Sequence, residues 1–369
     1  MKTITKLFIG CLATACNATP IDITVPPDVL AHPYWPQFYN FVDTHDKQYN
    51  ADEFRDRFAV FVRNIGRIND VFYKDSYNAS INEWADLMEE EFSDKMGAGC
   101  VHISAPSYGC DSYLPTKLEL NNLPDEIDWR YKNAVTPVKN QKKCGSCWSF
   151  SATGAMEGAW AIETGDLVSL SEQQLLDCSV SYGNNACNGG IMAEAFQYAI
   201  HNGMCSESED PYEADSGYCT DCTPVVEIAN CYNVQSGNQL HLKAAVARGP
   251  VSVAIEADMS VFQFYSGGVL RSKDCGDNLD HGVLVVGYGQ ENGIKYWLVK
   301  NSWGPEWGQD GYIKIERSDS ENDMGVCGIA TQPVFPTAKK NTSNADTSNA
   351  DTSTADTSVC HRWADTLAI

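Results

Sequence analysis

The clearest pattern along the chain is a single apolar stripe that begins shortly after Asn50. Its members follow steps of 4, 3, 4, 3 and 4 residues, the period of an α-helix over more than five turns. They are Phe54, Phe58, Phe61, Ile65, Ile68 and Phe72. Asn50 with Glu53 can cap this helix, and Glu53 with Arg57 can form an ion pair one turn apart. The stripe needs an apolar partner, which we expect from the aromatic segment just upstream. That segment contains Trp35, Phe38, Phe41 and Val42.

Changes in amino-acid composition and pattern along the chain predict four parts. Residues 1–18 carry two lysines, a short apolar run and then small residues, which is typical of a cleaved signal peptide. Residues 19–123 form a region that is helical over about 34–95, and residues 124–336 form a glycine-rich α+β domain. In residues 337–369 a small polar motif occurs three times, so we expect a disordered tail.

Composition and charge narrow the class of protein. There are 26 basic and 49 acidic residues, a net charge of −23, which argues against a nucleic-acid or anionic-membrane binder. No apolar run approaches the roughly 20 residues that span a bilayer. The 15 cysteines favour an oxidising compartment. Asn78 and Asn341 begin N-glycosylation tripeptides. We therefore expect a soluble protein of the secretory pathway, and both tripeptides are compatible with a glycoprotein.

Cys147 is the first candidate for chemistry. It follows Cys144-Gly-Ser and opens a predicted helix that runs to about Thr164, where Gly165 ends it. Unpaired N–H groups and the positive end of the dipole at a helix start favour a thiolate over a thiol. A thiolate is a nucleophile that also needs a cationic neighbour and a proton donor for the leaving group.

A predicted hairpin supplies that neighbour. The Asn292-Gly293 dipeptide separates the apolar run after His281 from the run that ends at Asn301, a strong hairpin signal. Folding about this turn brings His281 and Asn301 to one end of the hairpin. An asparagine amide there can accept a hydrogen bond from one ring nitrogen and orient the other toward a sulfur.

Other interpretations of these cysteines remain. Cys147 could be purely structural, and His281 an ordinary satisfied polar residue. Cys144-x-x-Cys147 and Cys219-x-x-Cys222 have the spacing of redox dithiols or of a zinc ribbon. The two pairs lie 72 residues apart, from Cys147 to Cys219, which is far beyond ribbon spacing. No βαβ pattern surrounds Cys144, which disfavours thioredoxin-like chemistry.

The combined motifs resemble the papain and cathepsin family of cysteine proteases. Cys-Gly-Ser-Cys147-Trp is followed 134 residues later by His281 and 154 residues later by Asn301. Further matching stretches are Ser169-Leu-Ser-Glu-Gln173, Cys187-Asn-Gly-Gly190, Gly249-Pro-Val-Ser252, Asn301-Ser-Trp303-Gly and Trp307-Gly. The resemblance spans about 124–336. It implies a papain-like α+β fold, with a helical left lobe and a β-barrel-like right lobe separated by a cleft.

The resemblance extends upstream. Spaced residues of the predicted helix resemble the cathepsin L-type inhibitory propeptide, namely Glu53, Arg57, Phe61, Asn64 and Ile68. The stretch from Ser80 to Asp86 resembles the second motif of that propeptide. This implies a helical inhibitory prodomain and a chain made as a zymogen. Departures from the pattern are Lys142, where a glycine is usual after Gln141, and Phe72, Ser80 and Trp84 in the propeptide motifs.

The resemblance assigns roles by position. Cys147 matches the nucleophile, His281 the general acid and base, and Asn301 the residue that orients the imidazole. Gln141 matches the side-chain donor to the oxyanion, and Trp303 a shield over the His281–Asn301 bond. Substrate-binding positions are Gly189, Gly190, Ile191, Met192, Ala254, Leu279, Asp280, Trp303 and Gln332. Five of these form the S2 pocket for the second residue upstream of the cut, which we expect to prefer Leu, Phe or Val. They are Ile191, Met192, Ala254, Leu279 and Gln332.

Disulfides follow from the same resemblance. Family positions imply the pairs Cys144–Cys187, Cys178–Cys219 and Cys275–Cys327, and leave Cys147 free. An odd set then remains, within which we expect a pair or a link to Cys360; it consists of Cys205, Cys222 and Cys231. Cys100 and Cys110 could bridge each other.

The resulting expectation is a cysteine endopeptidase made as a zymogen in the secretory pathway, for a lysosome or vacuole or for the extracellular space. Partners would be polypeptide substrates, the chain's own propeptide and cystatin-like inhibitors, and the enzyme would be a monomer. It needs no cofactor and no metal. The alternatives are a catalytically silent papain-like binding protein, and acyl transfer to an amine by the same residues.

Overall fold

The computed structural model describes residues 25–74, 77–96, 109–271 and 275–339. We call residues 25–96 the N-terminal region, residues 109–123 the connecting segment and residues 124–339 the large domain. The predicted signal peptide and nearly all of the predicted tail, with Asn341, lie outside the described residues. Within the described ranges no helix is long and apolar enough to cross a membrane.

The described part of the N-terminal region is mainly helical. Its elements are α1 (Pro27–Leu30), α2 (Trp35–Thr44), α3 (Ala51–Lys74), β1 (Tyr77–Ala79) and α4 (Glu89–Lys95). Helix α3 confirms the predicted stripe, since five of its apolar members are buried, and the Phe72 side chain lies outside the described residues. The five are Phe54, Phe58, Phe61, Ile65 and Ile68. The expected partner segment is also confirmed, because Phe38 on α2 contacts the rings of Phe58 and Phe61 at centroid distances of 5.2 Å.

The start of α3 is capped as predicted, but one expected ion pair is wrong. The Asn50 side chain accepts hydrogen bonds from the N–H groups of the first helical turn at 2.9 and 3.0 Å. Arg57 does not pair with Glu53. It donates to Glu91 at 2.7 Å and to the main-chain oxygen of Asp86 at 3.2 Å. The Glu91 carboxylate on α4 and the Asp86 carbonyl in the loop before it outcompete a surface pair that is worth only about 0.3–0.5 kcal/mol.

The connecting segment is regular structure on the surface of the large domain. It forms β2 (Asp111–Tyr113) and α5 (Lys117–Asn121). Helix α5 begins with a capping box, in which the Thr116 hydroxyl accepts from the Glu119 N–H at 3.2 Å and the Glu119 carboxylate accepts from the Thr116 N–H at 2.7 Å. Strand β2 pairs in parallel with a strand of the large domain.

The large domain contains the other described elements. Its helices are α6 (Cys147–Thr164), α7 (Glu172–Cys178), α8 (Met192–Asn202), α9 (Gln239–Val246) and α10 (Ser260–Gln263), with short 3-10 helices at Trp129–Lys132, Val180–Tyr182 and Val326–Gly328. Its strands are β3 (Ile127–Asp128), β4 (Ile228–Val234), β5 (Val251–Ile255), β6 (Tyr265–Leu270), β7 (His281–Glu291), β8 (Ile294–Lys300), β9 (Tyr312–Glu316) and β10 (Val334–Ala338). Helix α6 has the predicted bounds, with Gly165 at φ 87° after its end. Because most of its residues are buried, α6 runs through the interior of the domain.

One sheet joins the three parts of the chain. Its order is β1-β6-β9-β8-β7-β5-β10-β4-β2, and β3 pairs with β7. The hairpin of β7 and β8 turns at Asn292 (φ 50°) and Gly293 (φ 83°), as predicted. His281 is the first residue of β7, and Asn301 follows the last residue of β8. Both therefore lie at the end of the hairpin that is opposite the turn.

Strand β7 separates the two halves of the large domain. Val283 and Val285 pack in the apolar core of the β-rich half, whereas Leu284 and Val286 pack in the core that surrounds α6. Alternate side chains of a strand point to opposite faces, so one strand serves both cores. The expected α+β architecture, a helical half with Cys147 facing a β-rich half, is thereby confirmed.

The described residues contain five complete disulfides. Three are the pairs implied by the resemblance, Cys144–Cys187, Cys178–Cys219 and Cys275–Cys327. Cys205–Cys222 is a pair within the set left open. The fifth, Cys110–Cys231, corrects the expectation that Cys100 pairs with Cys110. The reason is strand pairing, since β2 lies beside β4 and brings the Cα atoms of Cys110 and Cys231 within 4.8 Å.

Candidate active site

Cys147 is buried at the first turn of α6, against the start of β7. Its Sγ accepts a hydrogen bond from the backbone N–H of Gly282 at 3.0 Å. The strand and the helix approach closely at Gly282, because a Cβ there would lie 3.2 Å from the Cα of Trp148 and 3.4 Å from the carbonyl carbon of Cys147, so that a larger residue would push the start of α6 away by a few tenths of an ångström. This N–H and the helix dipole both favour negative charge on the sulfur.

The sulfur of Cys147 is nevertheless in a disulfide in this structure. The expectation that Cys147 is free is therefore wrong for this form of the chain. Family positions gave no information about cysteines outside the family pattern. A thiolate at Cys147 requires prior reduction, because only the thiolate is the nucleophile.

His281 and Asn301 are joined by a short contact. The Nε2 atom of His281 and the Oδ1 atom of Asn301 are 2.8 Å apart. The ring of Trp303 stacks on the imidazole at a centroid distance of 4.7 Å, and His281 is only 2% exposed. Burial lowers the pKa of His281 to about 4, although the contact with Asn301 acts in the opposite direction. The imidazole is therefore neutral at neutral pH in this state.

Gln141 is held by a residue that sequence reasoning missed. The Ser302 hydroxyl donates to the Gln141 Oε1 atom at 2.6 Å, which fixes the direction of the side-chain amide. The Gln141 Nε2 atom then donates to the carbonyls of Met96 and Cys144, both at 3.1 Å. Met96 belongs to the N-terminal region, so a main-chain oxygen of that region occupies the donor expected to serve an oxyanion. The only feature of the sequence that could have pointed to this role of Ser302 is its position next to Asn301.

The N-terminal region covers this site through aromatic and polar contacts. Trp84 and Phe92 contact Trp303 edge-on, with ring centroids 6.3 and 5.4 Å away. Glu89 accepts from the N–H of Ser260 at the start of α10, at 2.8 Å. Strand β1 pairs antiparallel with β6. These contacts bury His281 and Trp303 beneath the N-terminal region.

The glycines expected to bind substrate lie beside α6. Gly189 has φ 107°, and a Cβ at Gly190 would lie 2.6 Å from the ring of Trp148 and 2.6 Å from Asn184 Oδ1. Position 190 therefore requires glycine. Asp280 is tied to the backbone instead, since its carboxylate accepts from the N–H of Ala257 at 2.8 Å. Burial raises the pKa of Asp280 to about 7.

Three of the residues expected in the S2 pocket line one cavity of about 490 Å³. They are Ile191, Met192 and Gln332. Ala254 and Leu279 are not among the lining residues of this cavity, and both are buried with Met192 in the core around α6. The cavity also reaches residues 112–114 of the connecting segment, which sequence reasoning did not include.

Behind the site lies a buried group of charged side chains that the sequence reasoning did not predict. Lys139 donates to Glu157 at 3.2 Å and to Glu172 at 2.7 Å. Lys300, the last residue before Asn301, donates to Thr136 at 3.0 Å. Burial raises the pKa of Glu172 to about 7. Together with Asn301 and Ser302, these charges line a cavity of about 20 Å³, enough for one water molecule. Among the described residues no group of His, Cys, Asp and Glu is arranged to hold a metal ion.

Comparisons with known proteins agree with this geometry. Residues 123–337 match the model of the papain family cysteine proteases, and residues 38–92 match the cathepsin propeptide inhibitor domain. Cathepsin L2 of Homo sapiens is 46% identical over 81% of this chain and 91% of the relative. A KDEL-tailed cysteine endopeptidase of Arabidopsis thaliana is 44% identical over 81% of this chain and 84% of the relative. The solved structure of procathepsin L 3 from Tenebrio molitor superposes with a TM-score of 0.73 at 41% identity, and covers 83% of this chain and 99% of that one.

Proposed function

The chain belongs to the papain family of cysteine proteases, as a cathepsin L-like endopeptidase made as a zymogen, and from that premise we propose that Cys147, His281 and Asn301 carry its catalysis. The observation that supports this most directly is their convergence. The Cys147 sulfur contacts the backbone N–H next to His281, and the imidazole of His281 contacts Asn301. The Gln141 amide donates to the carbonyl of Cys144, three residues before Cys147 in the chain.

The first half of the reaction forms a thioester. The Cys147 thiolate attacks the carbonyl carbon of the scissile bond, and negative charge develops on the carbonyl oxygen. The Gln141 amide and the backbone N–H of Cys147 donate to that oxygen. The imidazolium of His281 then gives its proton to the nitrogen of the leaving amine as the C–N bond breaks. Asn301 holds the ring so that Nδ1 is the nitrogen that exchanges this proton.

The second half restores the enzyme. His281, now neutral, takes a proton from water, and the resulting hydroxide attacks the thioester carbon. The C–S bond breaks, a carboxylic acid leaves, and the sulfur departs as the thiolate beside the imidazolium. No step needs a redox partner or a bound ion.

Latency follows from the same groups. In the precursor the pKa of His281 is about 4, so the imidazole is neutral. A neighbouring thiolate favours the charged ring and raises this pKa, because opposite charges stabilise each other. Reduction of Cys147 and removal of the N-terminal region would therefore create the ion pair. Acid could loosen the N-terminal region by protonating its carboxylates, with cleavage near Leu123.

Labelling with an epoxide warhead tests the assignment of the nucleophile. We expect the reduced and processed enzyme to carry the label on Cys147, and the Cys147→Ala variant to carry none. The label on another residue, or equal labelling of the variant, would contradict the mechanism. Incubation of the Cys147→Ala precursor in acid separates self-cleavage from contaminating proteases, since only the wild-type chain should process itself.

Substrate preference can be tested with a peptide series. The lining of the pocket shared by Ile191, Met192 and Gln332 is uncharged, which supports a preference for Leu, Phe or Val as the second residue upstream of the cut. If a peptide with Arg as the second residue upstream of the cut were cleaved faster than the peptides with Leu or Phe there, the pocket assignment would be refuted. We also propose cystatin-like inhibitors as partners, a monomeric enzyme, and a lysosomal, vacuolar or extracellular destination.

A further inference from the structure

A disulfide crosses the boundary at which the propeptide is expected to end. Cys110 lies in the connecting segment, upstream of Leu123, and Cys231 lies on β4 of the large domain. Both are buried, with Cys110 9% and Cys231 0% exposed. Residues 25–96, in contrast, contain no cysteine at all. The two matched family models leave residues 93–122 between them, so neither assigns a role to this segment.

Hydrogen bonds hold the connecting segment in place beside the disulfide. Strand β2 pairs with β4 from Asp111 to Tyr113. Asn230 donates to the Asp111 carboxylate at 2.7 Å, and Asn233 donates to the carbonyl of Cys110 at 3.1 Å. Gln197 on α8 donates to the carbonyl of Gly109 at 2.6 Å. The connecting segment is thus held by specific hydrogen bonds to β4 and α8.

Side-chain packing and an ion pair add further contacts between the connecting segment and the large domain. The Tyr113 ring is 8% exposed and meets Phe335 edge-on at 5.2 Å. Glu119 pairs with Arg248 of the large domain at 2.8 Å. Leu120 and Leu123 pack against the core of the β-rich half. The segment therefore has its own contacts with the large domain, separate from those of the N-terminal region.

Covalent connectivity then limits how the zymogen can open. A cut near Leu123 alone would leave the N-terminal region attached through Cys110–Cys231. Its release requires either a cut N-terminal to Cys110 or reduction of a disulfide whose sulfurs are buried. We propose that the connecting segment is retained on the mature enzyme by this disulfide and forms one wall of its substrate pocket. The proposal rests on the proposed function, since it concerns the enzyme produced by activation.

The pocket in question is the cavity that Ile191, Met192 and Gln332 line. Ser112, Tyr113 and Leu114 line it together with Ile191 and Met192. None of its fourteen lining residues is charged. Its volume of about 490 Å³ lies within the range of about 300–1,000 Å³ for ligand sites. It suits uncharged side chains of a peptide on the upstream side of the scissile bond, with an apolar contact supplied by Leu114.

Mapping of the mature enzyme tests retention. The full precursor is processed in two arms, by itself in acid with the least reductant that supports turnover, and by pepsin without reductant. Each product is alkylated unreduced, digested and analysed by mass spectrometry. We expect the cross-linked Cys110–Cys231 peptide in near-stoichiometric yield from both arms. The matched double variant Cys110→Ala with Cys231→Ala should lose the segment whenever the chain is also cut near Leu123.

Failure of this proposal differs from failure of the proposed function. An active mature enzyme that lacks the Cys110 peptide and has an alkylated Cys231 overturns retention. A reduced precursor that neither processes itself nor cleaves any peptide overturns the proposed function, and the pepsin arm still reports whether the segment is retained.

Two matched leucines test the role of the segment in the pocket. Leu114 lines the cavity and is 72% exposed, whereas Leu118 on α5 is 74% exposed and is not among the lining residues. We expect Leu114→Ala to raise KM for peptides with large apolar upstream residues by about 3- to 10-fold, with kcat little changed. Leu118→Ala should leave KM unchanged. Equal effects of the two substitutions, or none from Leu114→Ala, would remove the segment from the pocket.

Discussion

The N-terminal region and the connecting segment both precede the large domain in the chain, yet they are attached to it in different ways. The N-terminal region reaches the active site through β1, the rings of Trp84 and Phe92, and the Met96 carbonyl. Every one of these contacts is noncovalent. The connecting segment lies on β4 and α8 of the large domain and is fixed by a disulfide at Cys110.

This difference separates inhibition from retention. An inhibitor that must leave can only use contacts that a proteolytic cut or a change of pH releases. A segment that is to stay can be held by a covalent bond and by a strand pairing. Upstream position in the chain is therefore not a guide to what maturation removes, and each prediction below tests one side of that contrast.

The largest expected effect concerns reduction of Cys147. Because its sulfur is in a disulfide, the precursor should not react with an epoxide or an alkylating agent at Cys147 until a thiol reductant is added. The measurement is site-specific labelling by mass spectrometry, with total alkylation of the unfolded reduced chain as the control. Full labelling of the native precursor without reductant would show that the disulfide is not part of the latent state.

Loss of one aromatic contact should release the N-terminal region selectively. Phe92 is fully buried and contacts Trp303, and truncation of a buried phenylalanine costs about 3–5 kcal/mol. If half of that cost falls on docking, Phe92→Ala should raise the activity of reduced, uncut precursor by roughly tenfold or more, since about 1.4 kcal/mol is a factor of ten. The measurement is initial-rate hydrolysis of a peptide before any processing.

Tyr113→Ala is the matched control in the connecting segment. It removes a buried ring that contacts Phe335 and lines the pocket, whereas Phe92 contacts Trp303 beside His281. We expect a lower melting temperature of the large domain and unchanged latency. If both variants activated the precursor equally, the contrast between the two regions would be lost.

A smaller effect is expected from Ser302→Ala. The hydroxyl of Ser302 orients the Gln141 amide, and loss of an oxyanion donor itself costs about 10²–10³ in kcat. We expect Ser302→Ala to lower kcat by about tenfold with little change in KM, Gln141→Ala to lower it further, and Ser302→Thr to recover most of the rate. An unchanged kcat in Ser302→Ala would show that Gln141 needs no such support.

The smallest effects concern two surface glutamates and pH. For Glu91, burial favours the neutral acid, but the hydrogen bonds from Arg57 and from the Met88 N–H outweigh it and lower the pKa. For Glu119 burial is likewise outweighed, by bonds from Thr116 and by Arg248, so its pKa is also lowered. A lowered carboxyl pKa contributes stability above about pH 4.3, the usual glutamate value, and this stability is lost as the pH falls through the lowered pKa.

The two glutamates should therefore be separable by melting curves on the Cys147→Ala precursor. Exposed pairs are worth about 0.2–1 kcal/mol, so each Glu→Gln change should lower a melting temperature by about 1–3 °C at neutral pH and by nothing in strong acid. Glu91→Gln should speed removal of the N-terminal region by trace enzyme, and Glu119→Gln should not. Identical removal rates would indicate that the two regions are released together.

Local signals in the sequence predicted the elements that carry the site. The 3.6-residue period predicted α3, and the apolar run ended by Gly165 predicted α6. The Asn292-Gly293 turn predicted the hairpin that places His281 near Asn301. These elements depend on neighbours within a few residues, which a sequence displays directly.

The features that were missed depend on contacts between distant parts of the chain. Arg57 pairs with Glu91 and not with Glu53 because α4 and the loop before it pack on α3. Cys110 is bonded to Cys231 because β2 lies beside β4. Disulfide connectivity of this kind cannot be deduced from sequence alone. The buried charges around Lys139 come from separate elements, so no local pattern revealed them.

The order of the strands has a consequence for how the mature enzyme meets other chains. In the precursor the two outermost strands, β1 and β2, both come from upstream of the large domain. Outermost strands offer unpaired N–H and C=O groups that can recruit another polypeptide. Departure of β1 would uncover β6, while a retained β2 would keep β4 covered. The mature molecule would then have an unpaired sheet edge on the β6 side only. An extended peptide that adds to β6 could inhibit the enzyme or begin its self-association there.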